Sequence, residues 1–144
     1  MERLTIAIAD DNERMLEMLN ALIQTENGME LVGTAANGED AVELIRKNTP
    51  DVVLLDLIMP KMDGLELVRE VQKLSHKPQI VAVSGYDDFA YAVELLRHGV
   101  REYILKPVER EKITAILKTL EEEYEQKRKQ AQADHQIGKN QIRY

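Results

Sequence analysis

The chain has 144 residues, 44% hydrophobic and 31% charged, with a formal net charge of −7, which is the size and apolar content of one domain with one core. The acidic balance speaks against direct nucleic-acid binding, and the absence of cysteine removes disulfide and thiolate chemistry, a composition that fits the cytoplasm. No apolar run approaches the length of a membrane span, and MERLTIAIADD is not a signal peptide, because charge returns after six residues.

Along the chain, short apolar runs alternate with helical periodicities. LTIAIA (4–9) reads as a strand, and Met15, Leu16, Met18, Leu19, Leu22 and Ile23 form one apolar helix face, stopped by Asn27-Gly28. MELVGTA (29–35) is a second strand. Asn37-Gly38 is a turn before a helix carrying Ala41, Val42, Leu44 and Ile45, and Pro50 closes that connection. DVVLL (51–55) is a third strand, followed by a helix with Leu65, Leu67, Val68, Val71 and Leu74. QIVAVS (79–84), after Pro78, is a fourth strand. DDFAYAVELLRHG is a helix stopped by Gly99, and EYIL (102–105) is a fifth strand ended by Lys106-Pro107. The last helix carries Ile113, Ile116, Leu117, Leu120 and Tyr124 on one face, and its apolar spacing fades at Lys127. AQADHQIGKNQIRY has no sustained periodicity and reads as a linker or frayed end.

Five β-then-α units predict one parallel sheet with helices on both faces. The non-alternating apolar runs at 52–55 and 80–83 suit strands covered on both sides. In such a sheet the ligand crevice lies beyond the carboxyl ends of the strands. There the sequence places Asp10 and Asp11, Asp56, Ser84 and Lys106, each at its own strand end. Clustered carboxylates repel unless a cation sits among them. With no His or Cys close by, the implied ion is hard and oxygen-preferring, and Mg²⁺ suits few carboxylates with a phosphate. Lys106 can neutralise a phosphoryl oxygen and Ser84 can donate to another. Asp56, central in the sheet, is the candidate nucleophile towards phosphorus, and Asp10 and Asp11 are the candidate metal ligands.

Taken singly, these residues have duller readings. Asp10 or Asp11 could cap the first helix, Asp63 is expected to cap the third, Ser84 could serve a turn and Lys106 could be a surface lysine. His76, His98 and His135 are isolated and lack metal-ligand spacing. The coincidence of polar groups at separate strand ends is what favours a site.

At these residues the chain resembles the receiver domain of bacterial two-component response regulators. The likeness runs over about residues 3–124, in ADDN (9–12), LLDLIMPKMDG (54–64), VSGYDD (83–88) and YILKP (103–107), with 28 residues from Asp56 to Ser84 and 22 from Ser84 to Lys106. It implies an α/β, flavodoxin-like (βα)5 three-layer sandwich with parallel sheet order 2-1-3-4-5. It implies a phosphoacceptor, Asp56, served by a sensor histidine kinase and slow to lose its phosphate, rather than an enzyme. Mg²⁺ would be held by Asp11, by Asp10 often through water, by Asp56 and by the backbone carbonyl of Ile58. A cis Lys106-Pro107 peptide would point the lysine inward, and Gly64 would permit a tight approach after the third strand. Ser84 would move towards the phosphoryl oxygens and Tyr103 would turn inward. The face of the fourth helix, fifth strand and fifth helix would then change and form a homodimer, with Tyr91 and Leu95 contributing. Ile58 and Tyr86, each two residues past a site residue, would overhang the pocket mouth and hinder water.

The expected organisation is a receiver over 1–126 and a linker over 127–144 towards an output domain absent from these residues. The stretch from Val83 to Glu109 resembles receivers joined to AraC-type DNA-binding domains, so transcription control is expected of the whole protein, with neither DNA nor membrane binding by these residues. The alternative is a freestanding phosphorelay receiver that passes phosphate to another histidine-containing protein. A haloacid-dehalogenase-type phosphatase would need a second Asp where Ile58 stands, and a dinucleotide site would need a Gly-rich turn where ADDNER stands.

Overall fold

The computed structural model describes residues 3–59, 61–85 and 89–142. In chain order its elements are β1 (Leu4–Ala9), α1 (Glu13–Gln24), β2 (Met29–Ala35), α2 (Gly38–Asn48), β3 (Val52–Asp56), β4 (Ile58–Met59), β5 (Met62–Asp63), α3 (Gly64–Gln72), β6 (Gln79–Ser84), α4 (Phe89–Arg97), β7 (Val100–Leu105) and α5 (Arg110–Ile142). The chain divides after Val108 into two units.

In the first unit, five strands pair in the order β2-β1-β3-β6-β7, every pair parallel. Leaving out the two short strands, this is the flavodoxin-like order 2-1-3-4-5. Every residue of β3 is buried, as the unbroken apolar run requires for a central strand covered on both sides. Because side chains alternate across a strand, Ala7, Ala9, Val53, Leu55, Ile80 and Ala82 share one core with Ala41 and Ile45 of α2, Leu67, Val68 and Val71 of α3, and Leu95 of α4. Leu95 is completely buried, so it belongs to this core rather than to an exposed face of α4.

Local chemistry sets the helix starts. Asn12, not Asp10 or Asp11, caps α1, its Oδ1 accepting from the Met15 amide at 3.1 Å. Asn37 caps α2 through the Asp40 amide at 2.9 Å. Helix α2 ends at Thr49, which takes a left-handed conformation (φ 42°) uncommon for a β-branched residue. Asp63 occupies the cap position of α3 but makes no side-chain cap hydrogen bond, contrary to its expected role.

Other departures from the sequence reading are local. The segment after Asp56 forms a small antiparallel bridge, Ile58 with Asp63 and Met59 with Met62, where only turn signals were legible. The fifth sheet strand starts two residues early, at Val100. In the second unit, α5 continues for 33 residues to Ile142, through the stretch expected to be a linker without periodicity. Helix-forming Gln, Lys and Ala residues favour this continuation. So do one-turn pairs such as Arg128 with Glu125 and Gln130 with Asp134, both at 2.9 Å, which need no apolar seam.

Candidate functional site

The site lies where the carboxyl ends of β1 and β3 run side by side. Register places Ala9 beside Leu55, so the residues that follow, Asp10 and Asp56, leave neighbouring strands together. Both are buried, 3% and 4% exposed, while Asp11 is exposed. Each of the three offers a carboxylate oxygen within 4.8 Å of the others, the one such acidic cluster among the described residues. Asp10 Oδ1 accepts the Asn12 backbone N–H at 2.8 Å, and Asp56 Oδ1 accepts the Ile58 backbone N–H at 3.1 Å. The loop beyond each strand thus fixes the orientation of its carboxylate.

The fourth charged group arrives from β7. The Lys106 backbone N–H donates to the Ser84 carbonyl at 2.8 Å, locking the ends of β6 and β7 in register. The Lys106–Pro107 peptide is cis. The Lys106 Nζ donates to Asp56 Oδ2 at 3.3 Å, with Asp56 almost wholly enclosed and Lys106 about a quarter exposed on the side-chain scale (3% and 29%). Ser84 is completely buried, one residue beyond Val83, the register partner of Asp56.

Burial raises the Asp10 carboxyl from its ordinary 3.8 to about 6, and the Asn12 N–H only partly offsets this; Asp56 adds to the rise and Lys106 opposes it. Three hard carboxylate donors, two of them desolvated, with a single ammonium opposite, fit a divalent oxygen-preferring cation.

Ile58 is 52% exposed beside the acidic cluster, and Tyr103 is half-buried against the core of the first unit. Tyr86 lies outside the described residues. His76 sets a ring nitrogen 3.1 Å from the Pro50 carbonyl, away from the site. One contributor, Asn12, which caps α1, went unread in the sequence. An Asn directly before an apolar helix face is the capping signal that marks it. A Cβ at Gly64 would lie only 2.9 Å from the Leu57 carbonyl, the tight approach that the resemblance implies after the third strand.

Comparison with known proteins agrees with the fold. The family model for the response regulator receiver domain matches residues 6–118. The uncharacterized transcriptional regulatory protein YesN of Bacillus subtilis is 36% identical over 137 residues, covering 92% of this chain and 37% of its own length. A probable C4-dicarboxylate response regulator, DctR of Halalkalibacterium halodurans, is 32% identical over 127 residues, covering 88% of this chain and 55% of its own length. The chain therefore spans about a third to a half of the length of these relatives. Among solved structures, the signal receiver domain of NarL from Mycobacterium tuberculosis superposes with a TM-score of 0.76 at 29% identity, covering 83% of this chain and 98% of that one.

Proposed function

Because the chain belongs to the response regulator receiver domain family, we propose that Asp56 is its phosphoacceptor, charged by a sensor histidine kinase. Receiver domains of this family are signalling phosphoacceptors rather than classical enzymes, and they work with histidine kinases and phosphotransfer partners. The observation that carries the reading is the pairing of Lys106 Nζ with Asp56 Oδ2 at 3.3 Å beside the two other carboxylates. A carboxylate oxygen of Asp56 attacks phosphorus. The new O–P bond forms as the P–N bond to the donor histidine breaks, and the electron pair stays on the imidazole nitrogen. Lys106 then faces a phosphoryl oxygen in place of the bare carboxylate, and the Ser84 hydroxyl donates to a second one. The Ile58 backbone N–H keeps the carboxylate oriented for in-line attack.

Asp10, Asp11 and Asp56, with the Ile58 backbone carbonyl, would hold Mg²⁺. The ion would supply neutralisation of the charge gathering on the phosphoryl oxygens. Ile58 overhangs the acceptor and slows hydrolysis by crowding the approach of water. Tyr103 turns inward as Ser84 moves, and the phosphorylated chain pairs with a second copy of itself. YesN and DctR extend well beyond the matched part, which supports transcriptional output from a joined domain over a freestanding relay.

The test is incubation with Mg²⁺ and acetyl phosphate, read by intact mass. One base-labile phosphoryl adduct is expected on the wild type and none on Asp56→Ala. An adduct that persists on Asp56→Ala would assign the acceptor elsewhere.

A further inference from the structure

Helix α4 is held unequally at its two ends. At its start Phe89 is 83% exposed and Ala90 is exposed too, whereas Leu95, near its end, is completely buried. The start follows Ser84 by five residues in the chain. The end runs through Gly99 into Val100, which is buried and pairs with Ile80 of β6. The last carbonyls of a helix have no intrahelical donors of the usual kind. Here the His98 amide donates to the Glu94 and Leu95 carbonyls at 3.1 and 3.0 Å, and the Gly99 amide to the Leu96 carbonyl at 3.1 Å. Gly99 then turns the chain away in the left-handed region, at φ 94°. The His98 carbonyl lies beyond that ladder, and the side chain of Gln72, the last residue of α3, donates to it from Nε2 at 3.1 Å. A Cβ on residue 99 would stand 2.9 Å from the same nitrogen. Glycine there serves both the turn and the approach of Gln72.

We propose that Gln72 is a positioning residue that pins the C-terminal end of α4 from the neighbouring helix, so that α4 answers a change at the phosphoacceptor site by swinging about this end. The buried Leu95, the start of β7 and the side-chain bond from α3 all hold the end, and none of them reaches the first turn. Leu67, Val68 and Val71 are buried, so α3 is a fixed frame for the pin. Movement of Ser84 towards a phosphoryl oxygen pulls on the start of α4 through the chain that joins them. The pinned end converts that pull into rotation: His98 and Gly99 stay in place and Phe89 travels furthest. The Gln72 bond is exposed to solvent, so its removal loosens the end of α4 without unfolding the chain. This deepens the proposed function and rests on it for the movement of Ser84.

The experiment uses Gln72→Met in the full chain, which keeps the length of the side chain and removes its donor. In the unphosphorylated protein, amide hydrogen exchange is expected to rise about threefold to tenfold at His98 and Gly99, with no change in β1 or β3. With acetyl phosphate and Mg²⁺, exchange in the wild type is expected to change at Val93 and Glu94, whose amides close the first turn of α4, and to hold at His98 and Gly99. In Gln72→Met the change is expected to spread to His98 and Gly99, because the end is no longer pinned. A residue that merely stabilised the fold would raise exchange uniformly and leave the pattern along α4 as it is in the wild type. Unaltered exchange at His98 and Gly99 in unphosphorylated Gln72→Met overturns the pin, as does a uniform rise that includes β1 and β3. Equal changes at both ends of α4 in the phosphorylated wild type overturn the swing. Failure of the wild type to take up phosphate overturns the proposed function instead, and exchange in the unphosphorylated variant still decides the pin.

Discussion

At the scale of single residues, the site works by unequal exposure of similar groups. Asp56 and Asp10 are buried, Asp11 is open, and Lys106 reaches in from partial exposure. A desolvated carboxylate beside an ammonium gains from neutralisation far more than a solvated one does. Ile58 is half-exposed, yet its backbone N–H holds Asp56. Its side chain can therefore change without disturbing that hydrogen bond. Ile58→Asn is expected to speed loss of the phosphoryl group by about tenfold, equivalent to roughly 1.4 kcal/mol of barrier, because an amide can orient a water that the apolar sec-butyl chain of isoleucine excludes. Decay of the intact-mass adduct after removal of acetyl phosphate measures it, and an unchanged half-life would remove Ile58 from any part in hydrolysis. The residue types and their order were legible in the sequence, since each polar group follows its own apolar run. The exposure of each was not, because burial depends on neighbours from distant segments.

Among the elements, α3 shows how a local rule and a tertiary contact compete. Asp63 followed by Gly64 reads as a cap and a helix start, yet the cap bond is absent. The close approach of Leu57 to Gly64 fixes where the helix begins. Gly64→Ala sets two effects against each other. Alanine favours the helix by up to about 1 kcal/mol, less at its first position. Its Cβ would meet the Leu57 carbonyl and Cβ at 2.9 and 3.0 Å, and relieving such crowding costs roughly 1–3 kcal/mol. The clash wins, because a backbone oxygen cannot swing aside as a side-chain tip can. Urea denaturation is expected to show a net loss of about 1–2 kcal/mol, and phosphorylation should slow as Leu57 shifts beside Asp56. A variant as stable as the wild type would mean that the loop gives way freely. Helix α5 shows the reverse case. Its apolar stripe fades at Lys127, but helix propensity and charged pairs carry it on to Ile142. The fading of an apolar stripe marks the end of a buried face, which need not be the end of a helix.

For the whole molecule, the acidic cluster makes stability depend on pH. Asp10 is raised from 3.8 to about 6 in the folded chain. Between those values the folded state holds a proton that the unfolded chain has released. Stability therefore falls as pH rises through this window, and the loss, on the order of 2–3 kcal/mol, is complete above it. In metal-free buffer, the stability gap between Asp10→Asn and the wild type should move in favour of the variant from pH 4 to pH 7, followed by urea midpoints. Millimolar Mg²⁺ should flatten the wild-type dependence by favouring the carboxylate, and should not do so in the variant. A gap constant with pH would show that Asp10 titrates alike in both states. The sequence by itself determined the alternation of strands and helices, while the sheet order was implied by the family resemblance of its motifs. Short apolar runs, period-3.6 patterns and turn residues are local, and βα units join in few ways. It also named the polar residues at the strand ends, because those ends converge in any sheet of this kind. Only the tertiary structure decided that Leu95 turns into the core and that the Lys106 ammonium stands 3.3 Å from the Asp56 carboxylate. These depend on the separation of atoms far apart along the chain, which packing sets and no local periodicity encodes.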